Sequence, residues 1–430
     1  MSSEYEKFDL AIVGAGPVGL ITALAAAYTG CKDSHQKQLQ IALIGPKPSA
    51  IALNRDTRTT AFMHPSLKML SNLAILEKIE TEAAPLKELR MIDDTAGLLR
   101  APDCHFTSLE LDLPYFALNI PNADLNRALI EMVSQASAIR WIETEEVSKV
   151  TSEDEQVSIN TREGKMITAP FCIGADGRNS ICRQAAEIET DTWSYDQTAI
   201  ACGFTHQLPH NAVSIEIHRP TGPLTLIPLK EHHASLVWSL KPAEAEQMVK
   251  LDDNGFIEAL NKASLGFYGQ INTVAKRVAF PIKGMSLKKL AAKRIALVGE
   301  AAHIVPPIGA QGMNMGLMDA ACLCDAIQQS PDYAQFPSNL VESYNTIRHR
   351  DVARRSKTID LLNKSLLVDY LPFKAARTVG LTLLKQLTPL RRLVMQQGMG
   401  TPLETSSYHG ESLPTLMQDP AAETAYASQS

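Results

Sequence analysis

The sequence predicts an α/β fold: a doubly wound, Rossmann-like domain, interrupted by an inserted, mainly antiparallel sheet and followed by a C-terminal helical segment. Three observations predict it. An uncharged run from Leu10 to Gly30 is broken by a G-x-G-x-x-G turn. Alternating apolar and polar runs cluster in the middle of the chain. A strand-then-glycine-then-helix pattern returns near residue 298.

The first element is a buried strand, Phe8 to Val13, then the turn Gly14-Ala15-Gly16-Pro17-Val18-Gly19, then a helix to about Tyr28. The 21 uncharged residues from Leu10 to Gly30 could mimic a membrane span, but the glycines and Pro17 favour strand–turn–helix. A second strand at Leu39 to Ile44 completes β-α-β. Helical periodicity is expected over Ser66 to Ile79. It is expected again over Ala123 to Ala136, where Asp124 stands near the helix start. Alternation at Val157 to Asn160, Val213 to Ile217, Leu224 to Leu229 and Ser235 to Leu240 fits an antiparallel sheet with one wet face. The α/β pattern resumes at Arg294 to His303, and a long helix runs from near Met313 to Gln328. The expected division is a discontinuous nucleotide-binding domain (1–75, 100–184, 286–370), an inserted substrate domain (76–99, 185–285) and a helical segment (371–400). A tail without periodicity (401–430) is expected to be disordered.

Composition excludes several classes. The chain has 430 residues, 45% of them apolar, and a formal charge of −6, from 41 Lys+Arg against 47 Asp+Glu. These values fit a globular protein with enough length to bury a core, and they argue against a nucleic-acid surface. The seven cysteines form no C-x-x-C pair and read as reduced thiols. The acidic start MSSEYEKFDL fits neither a signal nor a transit peptide, so the expected place is the cytoplasm.

Three motifs carry chemistry. In Gly14 to Gly19 the glycines permit a tight turn, close approach to a pyrophosphate and close helix packing, and the helix start offers its free N–H groups. Such a fingerprint usually has an acid at the end of the second strand to hold ribose. Here Ile44-Gly45-Pro46-Lys47 has none. The second motif, CIGADGRNSICR, delivers Asp176, Gly177 and Arg178 after a short strand, either as a plain Asp-Gly turn or as a second cofactor contact. The third, VGEAAHIVPPIGAQGMNMGLMDA, puts Gly299 and Glu300 at a strand end, where the carboxylate could accept from polyol hydroxyls. Pro306 and Pro307 stiffen a wall. Gly309, Gln311 and Gly312 then let the backbone approach a planar ring, and the positive start of the next helix would stabilise a reduced flavin. His303 is open to two readings, a core or wall residue or a catalytic proton shuttle. His232-His233 lacks metal-ligand spacing, no metal is expected, and G-x-S-x-G, H-E-x-x-H and G-x-x-x-x-G-K-[ST] are absent.

Together these pieces, with DTRTTAFMHPSLKMLSNL (Asp56 to Leu73) and GPLTLIPL (Gly222 to Leu229), resemble the FAD-dependent aromatic hydroxylases, and within them the UbiH-like hydroxylases of ubiquinone biosynthesis. The resemblance spans about residues 8–370. It implies FAD as cofactor, bound by Gly14, Ala15, Gly16, Pro17, Val18, Gly19, Arg58, Asn126, Asp176, Gly177, Arg178, Gly299, Glu300, Pro307, Gly309, Gln311, Gly312, Met313 and Asn314. His303, Pro306 and Pro307 would stand at the catalytic wall or proton relay. The family more often has Asp where this chain has Glu300, and an acid where it has Gly45. The implied reaction uses NAD(P)H and O2 to hydroxylate a polyprenylated phenol through a C4a-hydroperoxyflavin. A small soluble phenol, or a flavin-binding protein or reductase without oxygen chemistry, are the alternatives. A second G-x-G-x-x-G is absent, so the nicotinamide cofactor is expected to visit the flavin without its own domain.

Residues Tyr370 to Pro402 contain Lys374, Arg377, Lys385, Arg391 and Arg392 and no acid, with leucines between them. Either a terminal helix packs on the core, or this segment contacts an anionic inner-membrane surface or a quinone-biosynthesis complex.

Overall fold

The computed structural model describes residues 5–28, 37–95, 102–367, 380 and 382–399. The expected disordered tail (401–430), and 371–379 of the expected helical segment, lie outside them.

A six-stranded sheet organises the nucleotide-binding part. Its order is Ala291–Ala292, Ile295–Leu297, Cys172–Gly174, Leu10–Val13, Ile41–Gly45 and Ile139–Glu143. All neighbours pair parallel except Ala291–Ala292. The central strands are buried throughout, which explains why they read as continuous apolar runs. Helix Pro17–Tyr28 covers this sheet beside the long helix Gln311–Gln329 and helix Asn122–Gln135. An outlying four-stranded sheet joins Tyr5–Lys7, Met166–Ala169, Val157–Thr161 and Val147–Ser152. A three-stranded sheet joins Thr59–Met63, Ala117–Pro121 and Ala84–Leu86.

The inserted sheet has eight strands. Glu88–Asp93 pairs parallel with Val213–Arg219, which continues antiparallel through Gly222–Pro228, His233–Leu240 and the long strand Thr190–His206. One face (Ile200, Cys202, Ile215, Ile217, Leu224, Leu226, Leu236, Trp238) packs under helices Pro242–Lys250 and Asp253–Ala263.

Several expectations need correction. Val157–Thr161 pairs antiparallel as expected, but in the four-stranded sheet and not in the sheet that holds the other three alternating runs. Cys104–Thr107, expected in the nucleotide-binding domain, pairs with Glu88–Asp93 in the eight-stranded sheet. The single helix over Ser66 to Ile79 is two, His64–Asn72 and Leu76–Ile79, because Ala74 takes a left-handed conformation (φ 54°) and breaks the ladder. The wet face of the insertion is not wet: Ser214, Glu216, His218, Ser235 and Ser239 are all buried.

Candidate active site

The glycine turn is built by crowding. Gly14 sits at φ +112°, and a Cβ there would lie 2.2 Å from the carbonyl oxygen of Ala175. Only glycine fits, because the loop of the second motif lies directly on the first. A Cβ at Gly19 would meet the Gly14 carbonyl oxygen at 1.9 Å, so the helix also starts against the turn. Gly16, by contrast, has nothing within 4 Å of its added Cβ and is exposed. Pro17 at the first helical position surrenders no needed N–H. The turn is therefore closed behind and open in front, as an approaching phosphate requires.

The missing acid at the second strand has a steric counterpart. A Cβ at Gly45 would come within 2.9 Å of the Ala15 backbone nitrogen, so this chain packs strand end against turn more closely than a side chain allows. The Gly45 carbonyl accepts from Trp141 Nε1 at 3.1 Å, and Lys47 stands over the Trp141 ring at 5.6 Å.

The third motif is joined to the first through Val18. Added Cβ atoms at Gly299 and Gly316 would lie 3.2 and 2.8 Å from Val18 Cγ2. One valine thus wedges the first helix between the strand end at Gly299 and the long helix. Gly312 lies one turn before Gly316, hence on the same helical face, and has open space before it. Gly309 and Ala310 are both left-handed (φ 61° and 52°), which swings the chain after Pro306 and Pro307 into the helix. A non-glycine residue held there is strained, as is common at ligand loops. No side chain caps that helix start, so its first amides remain available.

Charged groups of the second and third motifs meet, with a further pair at Asp56 and Arg58. Arg178 donates to Glu300 through Nε at 3.0 Å and Nη2 at 3.1 Å, with both side chains about half exposed. Arg58 pairs doubly with Asp56 at 2.8 Å, and that hydrogen bond, with a further contribution from the charge of Glu300, holds its guanidinium above the usual arginine range despite burial. The hydroxyls of Thr57 and Thr59, flanking Arg58, are buried without a partner. Thr60 donates to Asn122 Oδ1 at 2.8 Å, and Asn126 lies one turn further along the same face of that helix.

Other expected residues are engaged within the chain. Asp176 accepts from Ser180 Oγ at 2.6 Å and from Cys182 N at 3.1 Å, so its carboxylate builds the loop and the following helix start. Asn314 accepts from Met63 N at 2.9 Å and donates to Ala61 and Ala310 oxygens at 2.8 and 2.7 Å, tying strand Thr59–Met63 to the long helix. Gln311 donates to the Gly398 carbonyl at 2.9 Å, bringing helix Thr388–Met399 over the loop beside Met313. Gly177 is left-handed with open space around it.

His303 is 2% exposed, and its Nε2 meets Asp319 Oδ2 at 2.6 Å. The same carboxylate accepts from Gly299 N at 2.9 Å and, through Oδ1, from Arg348 Nε at 2.7 Å. Of the two readings of His303, this geometry favours the wall: it anchors Gly299 from behind. The sequence reading missed Asp319 and Arg348. The signal was there, since an acid inside the apolar run MGLMDAACLCDA needs a buried partner. Burial pushes the Cys202 and Cys322 thiols up to about 12, so neither is an activated nucleophile.

The residues present therefore fit a dinucleotide laid across three loops, with phosphates before Gly16, polar groups at Arg178 and Glu300, and a flat ring before Gly312. The family described as FAD binding domain matches residues 7–357. A ubiquinone hydroxylase, UbiL, of Rhodospirillum rubrum is 26% identical, over 91% of this chain and 90% of that protein. The 3-demethoxyubiquinol 3-hydroxylase of Escherichia coli is 25% identical, over 91% and 98%. Among solved structures, p-nitrophenol 4-monooxygenase PnpA from Pseudomonas putida superposes with a TM-score of 0.71 at 16% identity, over 92% of this chain and 98% of that one.

Proposed function

The chain belongs to the FAD binding domain family, and from that premise we propose that it is an FAD-dependent monooxygenase that hydroxylates the ring of a polyprenylated phenol in ubiquinone biosynthesis, with NAD(P)H and O2 as co-substrates. The observation that carries this reading is the seating of Val18 on Gly299 and Gly316, which brings two glycine-lined helix starts far apart in the chain side by side.

When bound, FAD supplies the redox chemistry: two electrons come from NAD(P)H, one oxygen atom of O2 enters the ring and the other leaves as water. The chain's own residues do the rest. The turn at Gly14 to Gly19 holds the pyrophosphate on helix amides. Glu300 accepts from ribityl hydroxyls, and Arg178 and Arg58 balance phosphate charge. The uncapped start of helix Gln311–Gln329 places partial positive charge beside the ring system, where negative charge gathers on reduction. Pro306 and Pro307 form a rigid wall. Leu86, Phe106, Phe116 and Met395 form a buried apolar cluster, joined to the start of the long helix through helix Thr388–Met399 and suited to excluding water.

Among the described residues no helix is long and apolar enough to cross a membrane. Helix Thr388–Met399 exposes Leu393 and Val394 beside Arg392, a pattern that suits peripheral contact with the cytoplasmic face of an anionic inner membrane, or with a complex at it. The test uses purified protein. It should be yellow, with bands at roughly 370 and 450 nm, and a prenylated phenol should stimulate NAD(P)H oxidation without matching peroxide. Reduction that yields only peroxide would favour a reductase, and turnover with water-soluble phenols alone would favour the small-phenol alternative.

A further inference from the structure

The inserted sheet has a second face that the cofactor site does not use. Along Val213–Arg219, Ile215 and Ile217 point to the covering helices, so Ser214, Glu216 and His218 point to the opposite side. In the parallel neighbour, Leu89, Met91 and Asp93 stand directly across from Ser214, Glu216 and His218. Leu89 and Met91 pack in the cluster that includes Ala61, Met63, Phe116 and Met395. Ala61 and Met63 belong to the strand that Asn314 fastens to the start of the long helix. The face carrying Glu216 and His218 therefore lies on the side of the sheet whose apolar cluster reaches the strand fastened to the flavin loop.

Two ionisable side chains stand on that face as a pair. His218 Nε2 lies 2.6 Å from Glu216 Oε1, and the side chains are only 6% and 11% exposed. An apolar pair would fill the same volume without desolvating a carboxylate, so the pair needs a reason. With Nε2–H donated to the carboxylate, the lone pair of the ring lies on Nδ1, which makes His218 a base oriented by an acid.

We propose that Glu216 and His218 form a proton relay that ionises the phenol to be hydroxylated; this rests on reading the site as a phenol hydroxylase. The phenolic O–H bond breaks, its electron pair stays on oxygen, and an N–H bond forms at His218 Nδ1. The Glu216 carboxylate stabilises the resulting imidazolium. A phenolate ring is far richer in electrons than a phenol and accepts an electrophilic oxygen sooner. The proton returns to oxygen as product leaves, so the pair ends each turnover unchanged. His218 is the catalytic residue and Glu216 the positioning one.

The test uses FAD-loaded protein and 2-geranylphenol, with the ultraviolet band of the phenolate followed from about pH 6 to about pH 10, between ordinary imidazole and phenol values. Wild-type protein should ionise the bound phenol at lower pH than free solution does. Glu216→Gln and His218→Gln should return ionisation toward the solution value. Both should lose about 100-fold in hydroxylation near neutral pH, as expected for a lost general base, and recover at high pH, where the phenol ionises unaided. FAD content and flavin reduction by NAD(P)H should stay within about twofold of wild type, since neither depends on proton removal from the phenol. Glu216→Gln keeps shape and one hydrogen bond, so it carries the test alone if the histidine variant does not fold. Unchanged ionisation and an unchanged pH profile in the variants would overturn the relay. A protein that binds no phenol would instead overturn the phenol-hydroxylase reading, and the two failures are seen separately.

Discussion

Arg178 and Glu300 stand 122 residues apart in the chain and meet through two hydrogen bonds of 3.0 and 3.1 Å. Both lie at loop tips beside the glycine turn and both are about half exposed. An exposed pair of this kind contributes about 0–1 kcal/mol to folding, so its place is better explained by what it holds than by what it stabilises. Glu300→Gln keeps a hydrogen-bonding group but removes the charge that orients Arg178. The expected outcome is a nearly unchanged melting temperature with FAD affinity lowered about tenfold, the size of one lost charge-assisted hydrogen bond. Fluorescence titration of the apoprotein with FAD measures it, and unchanged affinity would remove Glu300 from the site.

Gly14 and Gly16 predict opposite results for the same substitution. Alanine at Gly14 would push a Cβ to 2.2 Å from the Ala175 carbonyl at a φ of +112°, so Gly14→Ala should destabilise the fold itself by several kcal/mol, on the order of other overpacked and strained sites. Alanine at Gly16 meets nothing within 4 Å, so Gly16→Ala should fold normally and lose flavin, because the methyl occupies the space the phosphates need. Urea denaturation and flavin content, measured together, separate the two.

Much of this cofactor cleft was legible. Strands such as Leu10–Val13, buried on every side, must be continuous apolar runs, and glycines forced by a near neighbour must be glycines. The face of Glu216 and His218 was legible as alternation and misread as wet. A strand's period shows which residues share a face; what covers that face depends on how distant segments dock. The cover here includes Met63, Phe116 and Met395, none of them close in sequence. Asp176 and Asn314 are expected as cofactor contacts, and their side chains hold the loops together; only coordinates distinguish a residue that touches a ligand from one that shapes the loop.

The fully buried Asp319 predicts an acid limb. Burial alone would raise its carboxyl, but His303 and Arg348 outweigh that and hold it below the ordinary carboxylate value. A carboxyl depressed by folding contributes stability above its unfolded value, near pH 4, and that contribution is lost as pH falls through the lower folded value. Asp319→Asn leaves the buried guanidinium of Arg348 with Asp351 as its remaining acid and should cost about 3 kcal/mol at neutral pH, the low end for breaking a buried pair. It should also narrow the stability gap between about pH 7 and about pH 3, because one of the groups that titrates on acid unfolding is gone. Urea midpoints of both proteins at the two pH values check the sign; an equal gap would mean that Asp319 does not titrate on unfolding.

The C-terminal helix Thr388–Met399 is tied to the site at three places. Met395 is 7% exposed in the cluster with Phe106 and Phe116. Arg391 Nε reaches Glu110 at 2.7 and 3.0 Å, with both side chains mostly buried. The Gly398 carbonyl accepts from Gln311, at the start of the long helix. The helix therefore packs on the apolar cluster next to the loop where the flavin ring would lie. Removing residues 388–430 should admit water and raise the share of NAD(P)H oxidation that ends as peroxide, while FAD binding at Gly14 to Gly19 persists. Arg391→Met, which deletes the ion pair with Glu110 and the hydrogen bonds to the Leu384 and Lys385 carbonyls but keeps the helix, should give a smaller increase of the same sign. Peroxide measured against NAD(P)H consumed, with a prenylated phenol present, reads both, and full coupling in the truncated protein would show that water is excluded without this helix.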